Sequence, residues 1–414
     1  MVHDFADTIT LEDAERITGP LAFNLMIKPA GSLCNLHCSY CYYLDKAEIY
    51  RRHEPVMTYE TLEAVIRIYM ETCETQEVTF NWHGGEPLVL GKDFFRRIIS
   101  LERKYAQGKN VHNTVQTNGI LLDKEWAEIL REGKFLTGIS VDGPACIHDR
   151  YRKDRKGGAT LDKVLKGVEI LHETGVDFNT MTTINKASEG KGKEVYRFLK
   201  SIGSRYMQFM PVVEYVSGGR IVPPQTAGAE QAPWSVSAIE FGKFMCDIFD
   251  EWILTDVGRY FVGHFDAALA GWCGVQPGTC AYAETCGGNA VIEHNGDVYM
   301  CDHFVYPEYR LGNIIEKPLR EILSSPEMIR FGISKRNSLP DKCRLCRWRT
   351  LCNGECPKHR FATTDSGSAG LNSLCKGYEM FYSHTAPYMQ RMCQLLAERK
   401  SPSLIMKEIQ QARQ

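Results

Sequence analysis

Three cysteines within eight residues, Cys34-Asn-Leu-His-Cys38-Ser-Tyr-Cys41, constrain this chain more than any other stretch. Thiolates are soft ligands that suit iron–sulfur clusters, zinc or Cu(I). The run follows an apolar segment, Leu21 to Ile27, that reads as a strand, so the thiols sit in a loop at a strand end. Structural zinc and simple clusters both take four protein ligands. Three thiols leave one iron of a four-iron cluster open to a small molecule. With His37 as a fourth ligand, the same loop would hold zinc instead.

The rest of the chain is that of an ordinary globular protein. It has 414 residues, room for one large domain and one smaller one, with 43% hydrophobic and 24% charged residues. A formal net charge of −2 gives no strong field for nucleic acid or anionic membrane. No apolar stretch is long enough to span a bilayer. Met1 to Thr18 is acidic and polar, unlike a signal peptide, and reads as a short tail or helix. The 16 cysteines cluster at metal-ligand spacings, which points to a reducing cytoplasm, and exposed clusters would further require low oxygen.

The first half alternates strand and helix patterns. Strands are expected at Leu21–Lys28, Glu77–Trp82, Asn113–Thr117, Phe135–Val141, Asp177–Thr183 and Arg205–Val212. Helices are expected between them, at Tyr59–Thr72, Asp93–Tyr105, Lys124–Glu132, Leu161–Glu173 and Lys193–Ser201. Such alternation makes a parallel α/β sheet with crossover helices. Ser217 to Pro233 reads as a surface loop, and Val236 to Leu254 and Tyr378 to Ala397 as helices. From Cys280 onward short strands, tight turns and cysteines suggest a second domain held by metal rather than by a large core. The expected divisions are a tail at 1–20, a first domain at 21–215, connecting segments at 216–279, a cysteine-rich domain at 280–376 and a terminal helix at 377–414.

Other motifs carry chemistry. His83-Gly84-Gly85-Glu86-Pro87 ends the second strand, where two glycines allow close backbone approach and a carboxylate could hold an ammonium. The bland alternative is a tight turn. Gly138 to Pro144 ends the fourth strand, and Arg152 lies in the charged run 149–156. The second half holds Cys280, Cys286, Cys301, Cys343, Cys346, Cys352, Cys356 and Cys375, enough for two four-thiolate sites, of zinc or of iron and sulfur. Cys73, Cys146, Cys246, Cys273 and Cys393 are left over and read as structural thiols. Asp302 follows Cys301 directly. Beside an anionic cluster its pKa is expected to rise, which suits a proton acceptor; otherwise it is a turn residue.

C-x3-C-x2-C with Tyr40 before the last cysteine resembles the signature of the radical S-adenosylmethionine (SAM) superfamily. The resemblance implies an open, partial (β/α)6 TIM-like barrel, with the site at the strand C-termini. It implies that Cys34, Cys38 and Cys41 hold a cluster whose open iron chelates SAM, and that cleavage of SAM yields a 5′-deoxyadenosyl radical. Gly84, Gly85 and Glu86 would bind the SAM amino group, Ser140 the ribose and Arg152 the carboxylate, whose two oxygens suit its fork. Tyr40 and Met207 would line the adenine pocket, although Met207 serves equally well as core. The later cysteines resemble a SPASM domain with two auxiliary four-iron clusters. By that pattern Cys280, Cys286, Cys301 and Cys356 hold one, and Cys343, Cys346, Cys352 and Cys375 the other.

From about Leu21 to Cys375 the chain is most similar to the anaerobic sulfatase-maturating enzymes. These oxidise a Cys or Ser side chain of an unfolded sulfatase to Cα-formylglycine, and in them the Asp matching Asp302 is the proposed base. His83 stands where some members carry Gln. Making an aldehyde removes two electrons: one leaves with a Cβ hydrogen atom, Asp302 takes the hydroxyl or thiol proton, and an auxiliary cluster takes the second electron. The resemblance implies a monomer with a sulfatase peptide substrate and a low-potential donor such as flavodoxin or ferredoxin. The alternative is a SPASM enzyme that forms a thioether or carbon–carbon crosslink in a precursor peptide. Such enzymes often carry an extra N-terminal domain, and only about twenty residues precede the first strand here.

Overall fold

The computed structural model describes residues 10–15, 23–50, 55–223 and 226–413. The expected N-terminal tail lies mostly outside them, with a short helix at Leu11–Glu15. In chain order the described strands are β1 Asn24–Lys28, β2 Glu77–Trp82, β3 Asn110–Thr117, β4 Phe135–Ser140, β5 Phe178–Ile184, β6 Tyr206–Pro211, β7 Tyr215–Ser217, β8 Arg220–Ile221, β9 Glu230–Gln231, β10 Phe261–Val262, β11 Asn289–Glu293, β12 Asp297–Tyr299, β13 Arg310–Asn313, β14 Ala362–Thr363 and β15 Ala369–Leu371. The five helices expected in the first half form within one residue of their sequence limits, while the two later ones form at Ala238–Thr255 and Cys375–Ala397. At Tyr59–Thr72, Thr58 accepts from the Thr61 N–H, and at Lys124–Glu132 Asp123 accepts from the Trp126 N–H. Val65, Ile66, Tyr69, Phe95, Ile98 and Leu130 bury the apolar faces of these helices.

The chain forms two compact units. Unit 1 comprises 1–140, 152–178 and 285–337; unit 2 comprises 141–151, 179–284 and 338–414. In unit 1 the strand order is β4-β3-β2-β1-β11-β12-β13. β1 pairs in parallel with β2 on one side and β11 on the other, and β2–β3 and β3–β4 are parallel too. Parallel strands covered on both faces read as near-continuous apolar runs, and Leu25, Ile27, Phe80, Trp82, Val291 and Ile292 are buried. β11, β12 and β13 belong to the sequence region expected to lean on metal. They instead extend this sheet, with β12 and β13 antiparallel at its edge. The cause is legible in Ala290-Val291-Ile292, too apolar to sit outside a core.

Unit 2 holds the parallel strands β10-β6-β5 and a small antiparallel sheet, β8-β7-β9, in the stretch read from sequence as a loop. Its core is the helix Ala238–Thr255 against the helix Cys375–Ala397. The backbones meet at Gly377, where a Cβ would stand 2.2 Å from the Ala238 carbonyl oxygen. Phe241, Phe249, Phe265, Tyr378 and Phe381 fill the space around that crossing. No helix among the described residues is long and apolar enough to cross a membrane.

Candidate active site

In unit 1 the chemistry-bearing residues gather at the C-terminal ends of the parallel strands: Lys28 ends β1, His83 to Glu86 follow β2, Thr117 ends β3 and Ser140 ends β4. This is where sites form on sheets of this kind, because strand ends leave loops free to carry function.

The cysteine loop is clamped from its far side. The His37 N–H donates to the Lys153 carbonyl at 2.8 Å, Leu36 bridges Asp154, and Arg155 Nε donates to the Cys34 carbonyl at 2.8 Å. A turn from Cys41 N–H to Cys38 C=O, 3.0 Å, brings the last two cysteines together. A cavity of about 260 Å³ opens beside Cys34, lined also by Ser32, His37 and Arg155. Burial pushes the Cys34 thiol up to about 11; the Glu86 and Cys41 charges add to this, and Arg152 opposes it. Cys41 is likewise raised by burial and eased by Arg152 and Lys28. Unmetallated, these thiols hold their protons, so ligation would release protons and supply the compensating positive charge.

Glu86 is buried and carries its own hydrogen bonds. Its carboxylate accepts from the Leu88 N–H at 3.0 Å, the Thr117 hydroxyl at 2.7 Å and the Asn118 N–H at 2.7 Å. It thus ties the loop after β2 to the loop after β3. Burial raises it to about 7. Gly85 is required for space: a Cβ there would stand 2.0 Å from the Leu33 carbonyl oxygen. At Gly84, with φ +85°, a Cβ would meet the Lys28 side chain at 2.6 Å. Asn118 Nδ2 donates to Asn35 Oδ1 at 2.7 Å, linking that loop to the cysteine run, and Gln116 Nε2 donates to Ser140 Oγ at 3.0 Å. Arg152, 8% exposed, lies 5.6 Å from the Tyr40 ring centre.

Asp302 sits at the start of a short 3-10 turn, its carboxylate between Lys28, which forms an ion pair with it, and the Tyr42 hydroxyl, which donates to it. Lys28 is fully buried, with its ammonium 3.5 Å from the Tyr43 ring centre and 5.7 Å from that of Tyr42. Burial alone would raise the Asp302 pKa. The Lys28 ammonium overrides it and holds the carboxyl well below the usual range. The partner that does this is a lysine distant in sequence, which no local spacing announces. His83 is kept neutral, at about 4, chiefly by burial. Its Nδ1 accepts from the Gly84 N–H at 2.7 Å, so its proton is on Nε2. Tyr43 donates to buried Glu293 at the end of β11, and Tyr50 to Tyr299 at 2.6 Å.

Lys28, Tyr42, Gln116 and Asn118 escaped the sequence reading. Lys28, Gln116 and Asn118 are polar residues at or beside the ends of apolar parallel strands, and Tyr42 follows the last cysteine of the loop. Met207 lies in β6 of unit 2, 1% exposed, opposite Thr180 and Val262.

Cys286 and Cys301 belong to unit 1, and Cys280 and Cys356 to unit 2. Cys343, Cys346, Cys352 and Cys375 line one cavity of unit 2 with Trp348, Tyr378 and Tyr382. Burial raises the Cys343, Cys352 and Cys375 thiols, Cys375 to about 12. Cys343, Cys346 and Cys375 act electrostatically on one another there, as thiols sharing one site must. Among the described residues no trio of His, Cys, Asp or Glu converges on a point that would hold a single metal ion.

Residues 29–199 match the Radical SAM superfamily, and residues 280–347 match SPASM, an iron–sulfur cluster-binding domain. The chain is 44% identical over 391 residues to a serine-type anaerobic sulfatase-maturating enzyme of Bacteroides thetaiotaomicron, covering 93% of this chain and 94% of that one. It is 31% identical over 385 residues to a cysteine-type enzyme of Clostridium novyi, covering 92% and 99%. The solved structure of native anSMEcpe with bound AdoMet and Cp18Cys peptide is similar at a TM-score of 0.81 and 30% identity, over 90% of this chain and 99% of that chain.

Proposed function

We propose that this chain, which belongs to the anaerobic sulfatase-maturating enzymes of the radical SAM superfamily, oxidises a seryl side chain of a sulfatase polypeptide to Cα-formylglycine. The observation that carries the reading is the Asp302 carboxylate, held ionised by Lys28 and Tyr42 in the same unit as the cysteine loop and the Gly84-Gly85-Glu86 turn. Preference for Ser rests on the 44% identity to a serine-type enzyme, against 31% to a cysteine-type one.

Cys34, Cys38 and Cys41 would hold the SAM-binding cluster. The Gly84, Gly85 and Glu86 backbone would receive the SAM amino group, with the Glu86 carboxylate fixing that turn. Arg152 would receive the SAM carboxylate, Ser140 the ribose, and Tyr40 and Met207 the adenine. Cys280, Cys286, Cys301 and Cys356 are assigned to one auxiliary cluster on ligand pattern alone. Cys343, Cys346, Cys352 and Cys375 are assigned to a second, which their shared cavity supports. Residues 21–215 are read as the catalytic core and 280–376 as the cluster domain. When bound, cluster and SAM supply the one-electron chemistry that removes a hydrogen atom from the substrate Cβ.

The chain's own part is proton handling and orientation. Asp302, ionised at any physiological pH, accepts the substrate hydroxyl proton as the aldehyde forms. Its low basicity weakens the driving force, while its fixed ionisation ensures that an acceptor is always present. Lys28 and Tyr42 each engage the carboxylate and so restrict its orientation. His83, neutral and protonated on Nε2, offers a donor on the same side of the sheet.

The test is anaerobic incubation of reconstituted protein, SAM and dithionite with paired sulfatase peptides that differ only in Ser or Cys at the target. The expected result is an aldehyde product two hydrogens lighter than the seryl peptide, formed faster than from the cysteinyl one. A crosslinked product without aldehyde would overturn the reading.

A further inference from the structure

Five cysteines stand outside those assigned to clusters. Three of them face other chemistry. Cys73 meets the Thr75 hydroxyl at 3.1 Å, Cys146 accepts from Lys191 Nζ at 3.8 Å, and Cys246 faces Asp250 and Asp247. The other two, Cys273 and Cys393, are far apart in sequence yet meet in unit 2, where their thiols share a hydrogen bond. Both are half-buried, so a small reagent can reach them. They come from two packed helices. Cys273 caps Gly263–Trp272, its N–H donating to the Leu269 carbonyl at 3.0 Å, and Cys393 lies near the end of Cys375–Ala397. Phe265 of the first helix stacks on Phe381 of the second, with ring centres 5.7 Å apart. The same helices wall the four-cysteine cavity. Trp272 meets Trp348 of its lining edge to face at 6.0 Å, a Cβ on Gly271 would stand 2.9 Å from Leu351 Cδ2, and Cys375 opens the second helix.

We propose that Cys273 and Cys393 form a reversible thiol–disulfide site that, once oxidised by a small disulfide of the oxidised-glutathione class, staples these two helices beside the cavity. Thiols already in hydrogen-bond contact close to the roughly 2 Å of a disulfide by side-chain rotation. Burial, and then the Cys393 thiol, push Cys273 up to about 12. Cys273 therefore keeps its proton at neutral pH, so exchange starts at Cys393 and Cys273 resolves it. In the exchange the oxidant's sulfur–sulfur bond breaks and one forms between the two cysteines. The protein gives up two electrons and two protons, and the oxidant leaves as two thiols. Neither SAM nor a peptide substrate takes part, so the site goes beyond formylglycine formation. Disulfides in otherwise reduced proteins are usually transient and redox-responsive, which suits a pair of leftover thiols in contact.

The test uses the full reconstituted chain under anaerobic conditions, with oxidised glutathione as the probe. The protein is then denatured, free thiols are alkylated, and peptides are mapped without reductant. The wild type should yield one peptide pair joined through Cys273 and Cys393, two hydrogens lighter than the peptides apart, and dithiothreitol should separate them. The oxidised chain, its iron content unchanged, should unfold at a urea concentration higher by on the order of half a molar, because the link closes a long loop. Cys393→Ser, treated alike, should show neither the link nor the shift. Both thiols recovered free, or glutathione held at either one with no link between them, overturns the proposal. So does a link that leaves the urea midpoint where it was. If Cys393→Ser loses iron, Cys273→Ser serves as the control, and the wild-type peptide map stands without either. Formylglycine formation has no part in these readouts, so its failure and the failure of this site are distinct.

Discussion

Lys28 ends β1 with its side chain fully enclosed. A lysine after the apolar run of a strand reads as the point where the chain meets solvent. Here the ammonium is buried, faces Asp302 and packs over Tyr43. The pairing cannot be foreseen by spacing, since Asp302 and its hydroxyl donor Tyr42 stand 260 residues apart. Lys28→Met should lower stability by on the order of 3 kcal/mol, because it strands a partly buried carboxylate. Lys28→Met with Asp302→Asn should recover much of that loss, a coupling read by thermal unfolding of the single and double variants. Additive losses would show that the pair does not act as one. Asp302→Asn keeps shape and removes basicity. It should cut formylglycine formation by ~10²–10⁴-fold while iron content holds, measured as formylglycine per 5′-deoxyadenosine. Gly85→Ala should abolish SAM binding in equilibrium dialysis, since the added Cβ would strike the Leu33 carbonyl and displace the turn. The Gly-Gly-Glu-Pro turn itself was legible, because glycine pairs at a strand end announce a backbone constraint. The hydrogen bonds that occupy the Glu86 carboxylate were not.

Strands and helices of the first half were legible because periodicity and caps agree there, as at Thr58 and Asp123. Three later strands were not. β8 and β9 are two residues each, too short for alternation to register, in a stretch rich in Gly and Pro. β11 carries a clear apolar run, yet nothing local says that it pairs with β1 across more than 250 residues of chain. The β2–β3 layer also holds a titratable lock. Trp82 Nε1 donates to Asn113 Oδ1 at 2.9 Å, and Asn113 Nδ2 donates to buried Glu102 at 2.8 Å. Burial raises Glu102 from 4.5 to about 8. The folded chain therefore keeps a proton there that the unfolded chain has lost. The stabilising contribution is full below pH 4.5 and is lost as pH rises toward about 8. At about 1.4 kcal/mol per unit, the loss is on the order of a few kcal/mol. Glu102→Gln should flatten this slope, so that denaturant midpoints at pH 5 and pH 8 differ less than in the wild type. Equal slopes in both proteins would show that Glu102 titrates normally.

At the scale of the whole chain, the proposed assignment of eleven cysteines to three four-iron clusters predicts about twelve irons per chain in reconstituted protein. Cys34→Ala with Cys38→Ala and Cys41→Ala should leave about two thirds of that, by iron assay and absorbance. Stoichiometric zinc in anaerobically prepared protein would contradict the cluster assignment. On the proposed reading, this chain removes a hydrogen atom from the β-carbon of a seryl residue and keeps the carbon as an aldehyde. That reading is tested most directly with a sulfatase peptide carrying two deuterons on the target Cβ. For each formylglycine formed, one deuteron should appear in 5′-deoxyadenosine and one should stay in the aldehyde. Formylglycine without deuterium in 5′-deoxyadenosine, or deuterium transfer without aldehyde, would contradict it.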